Sequence, residues 1–228
     1  MIVTKLESSR IFYRCLTPKW SYLPLSGAGT AQNGGRFNRP GVEALYLSDR
    51  PETALAEYGQ ESSITPPGTL VAYTVQVDLV VDFSGGFDGA TWPAAWGAWN
   101  CDWKYIVRIE GGIPPTWHLV DGLVSEGFRG LLFPSARCPN GINLVLFNGN
   151  LTADDHIHVH DPEGRLPRNQ LSWFEHAVRQ SLDQRALPLR GILTCFLRLS
   201  ATPAGAGCPP DEAKRSRRWA ERAHHQAP

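Results

Sequence analysis

The sequence predicts an α+β domain: a mixed, mostly antiparallel sheet with flanking helices. Three observations carry that expectation. Thr69 to Phe83 alternates, with Val71, Tyr73, Val75, Val77 and Leu79 on one side and Thr74, Gln76 and Asp78 on the other, the period of a half-buried strand. Gly130–Phe133 and Ile142–Phe147 are short continuous apolar runs of the kind buried strands show. Two segments, near residues 50–60 and 116–126, have helical spacing.

The elements follow in chain order. Ile11–Leu16 reads as a short strand, and a Pro/Gly/Ser-rich stretch then runs into Asn33-Gly34-Gly35-Arg36-Phe37-Asn38, where two glycines mark a tight turn that presents Arg36. Ala44–Leu47 is a strand ending at Ser48-Asp49. Asp49 and Glu52 have capping-box spacing, and Pro51 suits a first helical turn. A helix is therefore expected from about Arg50 to Gln60, with Ala54, Leu55 and Tyr58 facing inward. Trp92, Trp96, Trp99 and Trp103 would line one face of a helix, as core or as a partner-binding surface. Thr116–Glu126 is expected as a helix with Leu119, Leu123 and Val124 inward. Pro134 to Gly141 joins the two apolar runs, and His156–His160 is the final strand.

The 228 residues suit one domain with an appendage. Residues 1–173 carry 13 Lys and Arg against 17 Asp and Glu, net −4, and residues 174–228 carry 9 against 5, net +4. The domain is thus placed at 1–173, and 174–228 is expected as a poorly ordered C-terminal extension. The whole chain is formally neutral, so no global basic field exists to hold nucleic acid or an anionic membrane. Five cysteines, odd in number and never in a C-x-x-C pair, indicate neither a disulfide framework nor a four-thiolate zinc site. Charged residues interrupt the first 25 positions, which argues against a secretory signal and for a cytoplasmic location.

Two constellations could carry chemistry. Arg14, Arg36, Tyr46, Glu57 and Ser135 all fall at strand ends, turns or the start of a helix, where a rigid scaffold can aim them into a cleft. Each alone also has an ordinary explanation: a surface ion pair for Arg36, an exposed helix face for Glu57, a turn cap for Ser135. His156, His158 and His160 would share one face of a strand, which invites a zinc-dependent enzyme or a solvated edge strand.

Read in order, Tyr13-Arg14, Gly34-Gly35-Arg36-Phe37-Asn38, Leu45-Tyr46-Leu47-Ser48, Ala54-Leu55-Ala56-Glu57, Gly130 to Arg137 and Asn143 to Phe147 resemble the RES domain. That family is named for its Arg, Glu and Ser and supplies the toxin of bacterial RES-Xre toxin-antitoxin modules. The resemblance spans about Ile11 to Trp173. It implies a fold similar to ADP-ribosyltransferase toxins and an enzyme that consumes NAD as substrate, with no cofactor and no metal. It puts the family's Arg on Arg36, its Glu on Glu57 and its Ser on Ser135, with Arg14 and Tyr46 as further pocket positions. Phe37 stands where Trp is common. The implied partners are NAD and an Xre-like antitoxin protein, with a homo-oligomer as a further option.

The residue types suit that chemistry. Breaking the nicotinamide-ribose bond passes through an oxocarbenium-like state. Arginines can grip a diphosphate, and Tyr46 can stack on the nicotinamide ring. Glu57 can accept from a ribose hydroxyl and stabilise developing positive charge, and Ser135 suits positioning the ribose or the nicotinamide amide better than attack. A non-catalytic interaction module with a Trp-rich face is the other class of reading.

Overall fold

Strand β4 (Thr69–Asp82) organises the fold, because its two halves serve different neighbours. The structure, a computed structural model, describes residues 1–60 and 64–171. Val71, Tyr73, Val75 and Val77 are buried, as the alternation requires. The pattern then breaks at Leu79, which takes φ +52° and is 48% exposed, contrary to its expected inward side. A left-handed leucine costs roughly 1–2 kcal/mol, and what it does here is reset the strand. Val80 and Val81 beyond it are both buried, one in each of the two core clusters.

Seven strands form one sheet among the described residues. The first half of β4 pairs antiparallel with β2 (Ile11–Leu16), Ile11 opposite Thr74 through Leu16 opposite Thr69, and with β7 (His156–Val159). Its second half pairs antiparallel with β1 (Val3–Leu6) and parallel with β5 (Gly130–Pro134). From β2 the sheet continues antiparallel through β3 (Ala44–Ser48) and β6 (Ile142–Phe147) to β5. The pairing circuit β4-β2-β3-β6-β5 therefore returns to β4. All these pairings are antiparallel except β4 with β5, so the predicted α+β class and the mostly antiparallel sheet are what the chain adopts.

Two cores follow from this. Phe12, Leu45, Leu47, Tyr73, Val75, Leu132, Leu144 and Leu146 pack together on one face. Phe83, Trp92, Trp96, Leu131, Phe133, Val145 and Phe147 pack on the other, under helix α4 (Pro115–Ser125) through Val120 and Leu123. Strands β5 and β6 contribute to both clusters, which is why they read as unbroken apolar runs.

Three expectations need correction. The tryptophans do not form one helical comb, since a short 3-10 turn, Ala94–Ala98, starts after Pro93 and contains Gly97, and a separate short turn, α3 (Trp103–Tyr105), follows. Trp92 and Trp96 pack on Phe83 with ring centroids 4.8 and 4.9 Å away, so the buried pair is core and not a binding face. The capping box does not form at α2 (Pro51–Gly59): Arg50 is the N-cap, and Asp49 instead accepts from the Ile142 backbone N–H at 2.9 Å. Finally, Thr53 and Ala54 are the buried residues of α2, whereas Leu55 is exposed. Residues 172–173 and the expected extension at 174–228 lie outside the described residues. Among those described, no helix is long and apolar enough to cross a membrane.

Candidate active site

A cleft of about 980 Å³ is lined by Arg14 from β2, Arg36 from the turn after helix α1 (Ala28–Asn33), Tyr46 from β3 and Glu57 from α2. That volume is at the upper end of the range of small-molecule sites, about 300–1,000 Å³. Four of the five residues that the sequence singles out thus meet in one concavity. Ser135 reaches it through Glu57, and its neighbours Ala136 and Arg137 line the wall.

The turn that carries Arg36 is built to be rigid. Gly34 has φ +72°, and a Cβ on Gly35 would fall 2.5 Å from Asn38 Oδ1 and 2.7 Å from the Tyr46 hydroxyl, so both glycines are required. Tyr46 donates its hydroxyl to Asn38 Oδ1 at 2.9 Å and accepts from the Phe37 N–H at 3.0 Å. Burial pushes the Tyr46 phenol well above its ordinary pKa, against the pull of the Phe37 N–H and the Arg36 charge, so it stays a neutral donor. Asn38 is buried and donates to the Thr30 and Val42 carbonyls, each at 2.9 Å. Trp117 of α4 donates its indole N–H to the Gly35 carbonyl at 2.8 Å, and Arg39 ion-pairs with Asp121 of the same helix. With its hydroxyl committed to the turn, what Tyr46 can offer a ligand is its ring, which lies edge-on to Phe133.

Arg36 Nη1 donates to the carbonyls of Trp99 at 3.2 Å and Cys101 at 2.8 Å. Its Nε and Nη2, the edge suited to bidentate anion binding, have no hydrogen-bond partner among the described residues. Burial lowers the Arg36 pKa, opposed by Cys101, Glu57 and Tyr46 and reinforced by Arg137, which sets these groups within electrostatic reach of one another. Arg14 is anchored in the same manner, Nη1 donating to Pro24 O at 3.2 Å and Ser26 O at 2.9 Å. Tyr73 lies beside it, its phenol pushed up to about 12 by burial despite the Arg14 charge.

Glu57 is held by side chains from two other elements. Ser135 Oγ and Asn143 Nδ2 both donate to Glu57 Oε1, each at 2.7 Å. Ser135 Oγ also accepts from the backbone N–H groups of Arg137 and Cys138, so it caps its turn and fixes the carboxylate at once. Hydrogen bonds to a charged group contribute about 1.5–3 kcal/mol each. Sequence reasoning does not pick out Asn143 and Ser48 as site residues, although a polar residue inside the run Ile142–Phe147 is the kind of signal that finds them.

The histidine strand behaves otherwise. His156, His158 and His160 are exposed, and among the described residues no group of three His, Cys, Asp or Glu side chains is arranged to hold a metal ion.

The sequence model of the RES domain matches residues 11–169. The chain belongs to the RES domain family. Among solved structures it is similar to the M. tuberculosis MbcT-MbcA toxin-antitoxin complex, at 21% identity and TM-score 0.46, over 70% of this chain and 84% of that one. No curated protein matches.

Proposed function

We propose that the chain is an NAD-consuming toxin of a toxin-antitoxin module that cleaves the nicotinamide-ribose bond. Membership of the RES domain family supports this reading. The single observation that carries it further is the pairing, across one cleft, of a tethered carboxylate, Glu57, with an arginine, Arg36, whose bidentate edge has no hydrogen-bond partner among the described residues.

In this reading the Arg36 edge takes diphosphate oxygens and Arg14 widens the same positive wall. The Tyr46 ring packs on the nicotinamide. Glu57 accepts from a ribose hydroxyl, so its negative charge lies near C1′ as the C1′–N bond breaks and the bonding pair leaves with nicotinamide. Ser135 keeps the carboxylate in place. The acceptor that then bonds to C1′ is water, phosphate or a protein side chain, giving hydrolysis, phosphorolysis or ADP-ribosyl transfer. An Xre-like antitoxin would hold the toxin inactive by covering the mouth of the cleft.

Expression in a bacterial host without antitoxin tests the proposal. The wild-type chain should deplete cellular NAD and arrest growth, and Glu57→Gln should do neither. Growth arrest with NAD intact would refute it.

A further inference from the structure

Asn143 is an anomaly in an otherwise apolar strand. Its side chain is only 4% exposed, and burying an amide without hydrogen bonds costs about 1–3 kcal/mol on mutational scales. Both of its polar groups are used: Nδ2 donates to Glu57 Oε1 at 2.7 Å, and Oδ1 accepts from Ser48 Oγ at 2.7 Å. Ser48 is buried too, and the β3–β6 register sets it directly opposite Asn143. The amide can face only one way, because its oxygen turned to a carboxylate would oppose two acceptors. With Ser135 on the same oxygen, two donors converge on Oε1, and Oε2 has no hydrogen-bond partner among the described residues.

We propose that Asn143, oriented by Ser48, is a positioning residue for Glu57: it locks Oε1 and leaves Oε2 as the oxygen that meets a ligand in the cleft. The inference rests on the reading of Glu57 as the charge-stabilising group. Ser135 holds the carboxylate from the β5–β6 loop, which has a turn of its own to satisfy, whereas Asn143, backed by Ser48, holds it from two hydrogen-bonded strands of the sheet. The rigid half of the clamp is thus the one built on β3 and β6.

The test compares the full-length wild type with Asn143→Ala, Ser48→Ala, Glu57→Gln and the Asn143→Ala/Glu57→Gln double variant. NAD affinity is read by calorimetry, and turnover by nicotinamide release. Asn143→Ala should lower kcat by roughly 30- to 100-fold with NAD affinity held within about threefold, and Ser48→Ala, which keeps the amide but frees it, by roughly 3- to 10-fold. The double variant should be no slower than Glu57→Gln alone, because Asn143 acts only through that carboxylate. A wild-type kcat in Asn143→Ala, or a repeat of its full loss in the Glu57→Gln background, would overturn the proposal. Crystal structures of Asn143→Ala and Ser48→Ala add a readout independent of NAD. The Glu57 carboxylate should leave its place, and an unmoved carboxylate in both overturns the proposal. Should the wild type release no nicotinamide while these structures show Glu57 displaced, the NAD reading fails and the positioning role stands.

Discussion

Glu57 and Arg36 share one cleft but are held by different means. The carboxylate is gripped by side chains from β6 and the β5–β6 loop, with Ser48 of β3 behind them. The arginine is gripped by backbone carbonyls of an irregular segment, Trp99 and Cys101, and Arg14 likewise by Pro24 and Ser26. A group that must meet charge developing at one atom gains from placement on regular elements. A group that grips a diphosphate needs orientation of its fork and tolerates looser support. The arginines in turn pin the loops they bond, so the binding wall and the loops depend on each other.

The difference predicts that the two sides fail differently when broken. On the proposed mechanism Glu57→Gln should cut turnover on the order of 10² to 10³, roughly 3–4 kcal/mol, with NAD affinity almost unchanged in calorimetry, since the charge it would stabilise appears only as nicotinamide leaves. Arg36→Ala should instead weaken NAD binding by about 1.5–3 kcal/mol, or roughly 10- to 150-fold, the range for a charge-assisted hydrogen bond. An unchanged affinity would remove Arg36 from the binding wall. Gly35→Ala places a Cβ 2.5 Å from Asn38 Oδ1, so it should destabilise the fold by about 1–3 kcal/mol in denaturant titrations and weaken NAD binding with it. Ser135→Ala should lower turnover about tenfold at constant affinity, because Asn143 still holds the carboxylate. If Ser135→Ala weakens NAD binding more than turnover, Ser135 belongs to the binding wall and the division of labour is mistaken.

Much of this arrangement is legible in the amino-acid sequence. The period of β4, the apolar runs of β5 and β6 and the Gly-Gly-Arg turn each follow from local rules. The set Arg14, Arg36, Tyr46, Glu57 and Ser135 rests on strand ends and turns together with the RES resemblance. The rest is hidden because it depends on partners distant in sequence. Asp49 has the spacing of half a capping box, but the backbone of β6 offers it the Ile142 N–H instead. Leu79 fits the alternation as one more inward residue, and its left-handed backbone falls where the β1–β4 register shifts, with Val77 opposite Leu6 and Val80 opposite Thr4. The tryptophans match a helical period that the chain around Pro93 and Gly97 does not adopt, and the Phe83 side chain gathers Trp92, Trp96 and Trp99 instead. Ser48 and Asn143 stand 95 positions apart, and only the β3–β6 register makes them a pair.

The proposed reaction breaks one bond of NAD in this cleft, the one between nicotinamide and ribose. Mass spectrometry of NAD incubated with the purified wild-type chain, in buffer with and without inorganic phosphate, tests it most directly. Nicotinamide should appear in one-to-one ratio with NAD lost, and the ADP-ribosyl product should carry a hydroxyl, a phosphate or a protein adduct according to the acceptor. Cleavage at the diphosphate with release of AMP, or NAD left intact under both conditions and also with bacterial protein added as acceptor, would contradict it.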